Sequence, residues 1–146
     1  MPLFGDRKPF LYLRSSANER RPKLSPNGRW LAYVSEESKR SEVYVQTFPT
    51  IGGKWQVSTL GGDHPVWRRD GEELFYIAAD GKMTGVEVKS GPNFEAGRPK
   101  PLFEARFGGN GFDVAKDGRF LIPVLVDAGV TAPLTVVVGW HTPLTK

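Results

Sequence analysis

A turn signal followed by a dense apolar run occurs three times in this chain, and no other feature constrains its fold as tightly. The stretches "PKLSPNGRWLAYV", "PVWRRDGEELFYI" and "FDVAKDGRFLIPV" align on Gly28, Gly71 and Gly118, which lie 43 and 47 residues apart. A period of about 40 to 50 residues with several strands per unit is the pattern of a β-propeller blade. Asn-Gly and Asp-Gly accept the positive backbone angles of a tight hairpin, so the repeated turn should join the first strand of each unit to the second. Asn27, Asp70 and Asp117 are accordingly read as turn formers.

Each turn leads into a run that is apolar on both faces, from Trp30 to Val34, Leu74 to Ile77 and Phe120 to Ile122. Strands covered on both sides have this character. Third strands follow in "EVYVQTF" (42–48), "MTGVEVK" (83–89) and "LTVVVGW" (134–140), and fourth strands in "KWQVST" (54–59) and "KPLFEA" (100–105). No segment carries a helical pattern. The expected fold class is all-β, with propeller blades over residues 22–59, 65–105 and 111–140. The third unit ends without room for a fourth strand, whereas "KPFLYLRS" (8–15) is a spare one, so residues 1–21 are expected to complete a blade. Propellers usually close with about four to eight blades. Three blades therefore imply either a piece of a larger propeller protein or a homodimer closing a six-bladed ring, each copy lending its N-terminal strand to the other's third blade. Pro123 cannot donate to a strand ladder, which predicts an irregularity in the third unit.

The 146 residues suit one domain, and four Trp, nine Phe and four Tyr furnish a core. With no cysteine, disulfides, thiol catalysis and thiolate metal sites are excluded. The net charge of +4 is spread over small groups, Arg20, Arg21 and Lys23, Lys39 and Arg40, Arg68 and Arg69, and Arg98 and Lys100. No run or module concentrates it, so nucleic acid is not an expected partner. No window has the length of a membrane helix, and "MPLFGDRKPF" lacks a signal-peptide core, so the chain reads as soluble without membrane insertion.

The stretches "LFGDRKPF", "SPNGRWLAYVSEES", "EVYVQTFP", "GGKWQVST", "WRRDGEELFYIAADGKM" and "FEAGRPKPLFEARF" closely resemble TolB-like, WD-repeat-like propeller segments of bacterial envelope proteins. In particular they resemble the C-terminal sensor-like propellers attached to some bacterial serine/threonine protein kinases. The resemblance implies a propeller that binds protein or senses a ligand, usually outside the cytoplasm and thus periplasmic. A kinase domain is lacking: there is no glycine-rich nucleotide loop with its lysine, and no "HRD" or "DFG", so kinase activity is not implied.

Catalytic signals are sparse. His64 and His141 lie outside nucleophile and metal spacings, "GxSxG" and "HExxH" do not occur, and neither a cofactor nor a metal is expected. Asp63 and His64 with Ser58 or Thr59 offer an acid, base and nucleophile for ester hydrolysis, against the alternative of a capped turn. Glu36 and Glu37, like Glu72 and Glu73, are read as solvated charges, and Trp30, Trp55, Trp67 and Trp140 as packing between blades. One of Arg68 and Arg69 is expected to pair with a nearby acid. Propeller geometry puts the loops at 16–21, 60–64 and 106–111 on one face with those at 35–41, 79–82 and 127–132. The candidate ligand-binding residues there are Asn18, Arg20, Arg21, Asp63, His64, Arg106 and Asn110, with Lys39 and Arg40 beside them, facing a protein or small anionic ligand. The leading reading is a non-catalytic, self-associating binding module. Its alternatives are a small esterase-like hydrolase using the His64 loop and a nonfunctional fragment of a larger propeller protein.

Overall fold

The computed structural model describes residues 9–89, 91–124 and the backbone of 135–137. Trp140, His141, the 127–132 loop and the outer parts of the last strand lie outside the described residues. Every regular element among those described is a strand, and the chain is all-β. The first sheet runs β1 (Glu19–Leu24), β2 (Trp30–Ser35), β3 (Glu42–Thr47) and β4 (Lys54–Gln56), in chain order and antiparallel throughout. The second repeats this order with β5 (Gly62–Trp67), β6 (Glu73–Ala78), β7 (Lys82–Lys89) and the short β8 (Glu95–Ala96), while β9 (Lys100–Glu104) also pairs with β7. The third comprises β10 (Asp113–Val114), β11 (Phe120–Ile122) and β12 (Thr135–Val137). Each is an antiparallel meander, the sheet type expected of a propeller blade.

The three glycines occupy equivalent turns, with φ of 70°, 77° and 83° at Gly28, Gly71 and Gly118. The turn is nonetheless not the two-residue hairpin expected from the sequence. Asn27, Asp70 and Asp117 keep negative φ, and each glycine amide bonds back three residues, to the carbonyls of Ser25, Arg68 and Ala115 at 2.8, 2.9 and 3.0 Å. The aspartate or asparagine instead caps the returning chain. Asn27 accepts from the Arg29 amide, Asp70 from Glu72 and Asp117 from Arg119, at 3.0, 2.9 and 3.2 Å. Only the glycine needs the left-handed region, and the acid's short side chain suits the position before it.

The third turn is one residue tighter than the other two. Ser25 and Arg68 close on the carbonyls of Trp30 and Glu73, five residues on, but Ala115 closes on Arg119, four residues on. A one-residue slip turns a strand over. Accordingly Leu31 and Leu74 sit opposite Leu24 and Trp67, whereas Phe120, one residue earlier in the motif, sits opposite Val114. Phe120 and Ile122 therefore face the second sheet, and Leu121 is left 40% exposed on the open face of the third. Pro123 follows where β11 ends, in keeping with the expected irregularity.

Two apolar layers join the three sheets. Trp30, Ala32, Val34, Val43 and Val45 of the first sheet pack on Leu74, Tyr76, Val86 and Val88 of the second, with Phe94 and half-buried Trp55 at the edge. Phe75, Ile77 and Met83 on the other face of the second sheet pack on Val114, Phe120 and Ile122 of the third. Trp30, Trp55 and Phe94 meet at ring separations of 5.1 to 5.8 Å. Trp67 donates its indole N–H to the Lys23 carbonyl at 2.9 Å. These three tryptophans thus pack between sheets, as read from the sequence. A fully buried leucine such as Leu74 contributes about 1.5–3 kcal/mol.

Residues 9–15 form no strand within the single chain, and the strand expected over "KPFLYLRS" is one that pairs with a second copy. They pass over the outer face of the first sheet, where Tyr12 donates to the Thr47 carbonyl and its ring lies 5.1 Å from Phe48. Side-chain contacts rather than a ladder hold this arm in the single chain.

Candidate functional site

The connection from β4 to β5 is fixed by a buried carboxylate. Glu42 is fully buried, accepts from Arg40 Nε at 2.9 Å and from the Gly61 amide at 3.0 and 3.1 Å, and takes the Ser58 hydroxyl as a donor. Gly61 itself requires glycine, since its φ is 94° and a Cβ there would come 2.7 Å from the Ala79 Cβ. The Gly62 amide bonds the Ser41 carbonyl at 2.9 Å. This bracing sets where β5 begins and hence where Asp63 and His64 point.

Arg20, Arg21, Asp63 and His64, expected in loops, lie instead on the opening residues of β1 and β5. Their charge mimics loop composition, but both strands carry a bulge that lets pairing resume. The register jumps between Arg20 and Lys23 in one strand and between Asp63 and Val66 in the other. Arg21 and His64 each precede the turn glycine by seven residues, and both hold left-handed backbone, with φ of 57° and 54°. Non-glycine residues in that region cost roughly 1–3 kcal/mol and concentrate at functional sites.

The bulges draw side chains of separate repeats together. Arg20 donates to Glu36 at 2.7 Å, to the Ser41 hydroxyl at 2.8 Å and to Asp63 at 3.1 Å. Arg21 Nε lies 2.8 Å from Asp63 Oδ1, and its NH1 donates to the Asn110 carbonyl at 3.3 Å. Asp63 also accepts from the His64 amide at 2.7 Å. The His64 ring stands edge-on to Phe107, 4.6 Å between centroids, with Nδ1 3.4 Å from Asp63 Oδ1. Arg20, Arg21, Asp63, His64 and the Asn110 backbone therefore converge across all three units. Asn18 reaches them through its carbonyl, which accepts from the Glu36 amide at 3.3 Å, while Arg106 is exposed and unpaired among the described residues.

Two buried polar atoms here lack aligned hydrogen-bond partners, Arg21 Nε and His64 Nε2. Arg21 Nε is near Asp63 in distance but misdirected in angle, so that contact is ionic. Burial pushes the His64 pKa below its ordinary value, Asp63 opposes this, and Arg21 and Arg20 add to it. Burial would raise Asp63, but the His64 amide, Arg20 and the neighbouring charges outweigh it and hold the carboxyl below the usual range. The site is thus an imidazole held towards its neutral form beside a saturated carboxylate, with unused donor capacity on the Arg21 fork.

The hydrolase arrangement is not assembled. Ser58 is fully buried and gives its one O–H to Glu42, and no nucleophile stands at His64 Nε2 among the described residues. No cluster of three or more metal-ligating side chains occurs among them. Glu36 and Glu37, read as solvated, pair with Arg20 and Lys54. Arg68 binds Asp70, Glu73 and Glu72 at 2.8, 2.6 and 3.3 Å, the acid pairing expected of one of the two arginines, and Arg69 is exposed. No described helix is long and apolar enough to cross a membrane.

The sequence signal that marks this site is the contrast at one repeat position. Seven residues before the turn glycine stand Arg21 in the first unit, His64 in the second and Gly111 in the third. No protein-family model matches the chain, and no curated protein is similar to it at a significant level. Among solved structures it is similar to the crystal structure of TolB from Acinetobacter baumannii, with 19% identity, a TM-score of 0.47, and coverage of 89% of this chain and 43% of that one. The chain spans less than half the length of that protein.

Proposed function

We propose that the chain is a non-catalytic propeller module that binds a protein or small anionic ligand on the face where β1 and β5 begin, and that associates with itself. The observation that carries the binding reading is the convergence of Arg20, Arg21, Asp63 and His64 on strained backbone, with Arg21 Nε and His64 Nε2 left without aligned partners. A fold under no other demand relieves both costs. Arg20 and Arg21 are already balanced by Asp63 and Glu36, so an anion is met chiefly by the outer N–H groups of Arg21. The kinase side of the resemblance and a periplasmic setting rest on the quoted motifs alone.

Backbone NMR shifts on titration with inorganic phosphate and with a short acidic peptide test the reading. Shifts at residues 16–21, 60–64 and 106–111 are expected with one of the two probes. Shifts confined to the turns at Asn27, Asp70 and Asp117 would refute it. Self-association is read from the three sheets among the described residues, two sets of which make up one six-bladed ring, with residues 1–21 completing a blade of the partner.

A further inference from the structure

The sheet-to-sheet contacts follow one rule, and the outer faces of the first and third sheets have no sheet against them among the described residues. Ala32 and Val34 of the first sheet meet Leu74 and Tyr76 of the second. Phe75 and Ile77 of the second meet Phe120 and Ile122 of the third, once the tighter third turn is allowed for. By the same rule the face of the first sheet bearing Leu31 and Tyr33 is built to receive a preceding sheet, since these residues align with Leu74 and Tyr76. The face of the third sheet bearing Leu121 is built to enter such a contact, and Leu121 is 40% exposed there.

The receiving face is not open to solvent in this chain. Tyr33, Tyr44 and Gln46 on it are 2%, 4% and 3% exposed. Tyr33 stacks on Tyr44 at 6.1 Å and donates to Gln46 at 3.1 Å, and Tyr12 of the arm lies over the same end of β3, against Thr47 and Phe48. The arm has no ladder to hold it, and the neighbours of its anchor, Phe10 and Leu11, are 67% and 72% exposed. Where the second sheet offers Val86 opposite Leu74, the first offers Gln46 opposite Leu31. That more polar face tolerates exchange of its cover.

We propose that the Leu31–Tyr33–Tyr44–Gln46 face is the docking surface for the third sheet of a second copy, and that residues 9–15 are a displaceable strap anchored by Tyr12 which closes it in the single chain. The occupant is a second copy because its open face, carrying Leu121, continues the contact already repeated within the chain. Two such contacts related by a two-fold axis close the ring without leaving an edge. The strap must leave before docking, so the apparent affinity is lowered by the fraction of chains in which it is down. This rests on the self-association reading and adds the surface and the gate.

Sedimentation of the full chain over a concentration series, comparing wild type, Tyr12→Ala and Leu121→Glu, tests both. Loosening the strap should lower the dimer dissociation constant by about tenfold. Leu121→Glu lies on an exposed position of a folded sheet and should leave the far-ultraviolet circular dichroism unchanged while abolishing the dimer. Tyr12→Phe, which keeps the ring and loses the hydroxyl, should fall between Tyr12→Ala and wild type. A wild-type dimer that Tyr12→Ala leaves unchanged or weakens overturns the strap while self-association stands. A dimer that persists in Leu121→Glu overturns the docking face. Monomers throughout, Tyr12→Ala included, overturn the proposal and the self-association reading together.

Discussion

The inner strands have two ends, and they obey different rules. At the turn end, Gly28, Gly71 and Gly118 take left-handed backbone at no steric cost, and Asn27, Asp70 and Asp117 cap the same amide two residues on. Residue type and geometry repeat together there. At the opposite end Arg21 and His64 occupy the same repeat position and the same left-handed region without being glycine, and each leaves a buried nitrogen without an aligned partner. Repetition of both sequence and geometry marks what folding needs. Repetition of geometry with divergent, costly side chains marks what folding alone does not explain.

The largest effect that would break this contrast is at a turn. Gly71→Val places a β-branched residue at φ 77°, with Pro26 3.6 Å from the new Cβ, and should cost about 2–3 kcal/mol, read as a fall in melting temperature. An unchanged melting temperature would remove the turn end from the comparison. Next in size is Asp63→Ala, which strips Arg20 and Arg21 of their shared acid and should cost about 1–3 kcal/mol, measured by urea denaturation. If instead Asp63→Ala is neutral, the four side chains are not a coupled cluster. Asp117→Ala loses an exposed cap together with its Arg119 pair and should lower the urea midpoint least of the three.

Acid sharpens the contrast without a substitution. His64 has a folded pKa below its unfolded value of 6.5, so the unfolded chain takes the proton first. Stability should be flat above about pH 6.5 and fall as pH drops from there through the lower folded value. Asp63 acts in a separate window, since its depressed pKa adds stability above 3.8 that is lost only as pH falls through the folded value. Urea midpoints across pH 4.5 to 7.5 should show the first fall in wild type, and His64→Asn should abolish it.

Much of the fold could be read from local chemistry, because turn glycines and double-faced apolar runs act within a few residues. The second and third strands of the first two units fall where these runs and the segments after them put them, as β2, β3, β6 and β7. The third unit was less legible. Phe120, Leu121 and Ile122 are all apolar, so nothing in the pattern says which face is inward, and a turn one residue shorter decides it. The anchoring of residues 9–15 through Tyr12 on the Thr47 carbonyl had no local signature either. For the candidate site, the contacts between residues distant in sequence were not legible. Arg20 and Asp63 lie 43 residues apart, and only stacked sheets bring them to 3.1 Å. Burial of Glu42, which removes Ser58 from catalysis, likewise has no local signature.

The claim that the strand-start end is kept for binding rather than for folding is tested most directly by the urea midpoint of His64→Asn. Asparagine tolerates left-handed backbone and removes the buried Nε2, at the loss of the ring contact with Phe107. The account predicts stability within about 0.5 kcal/mol of wild type, or above it. A loss of about 2 kcal/mol or more, the size of a core truncation, would show that His64 is held for the fold and would contradict the claim.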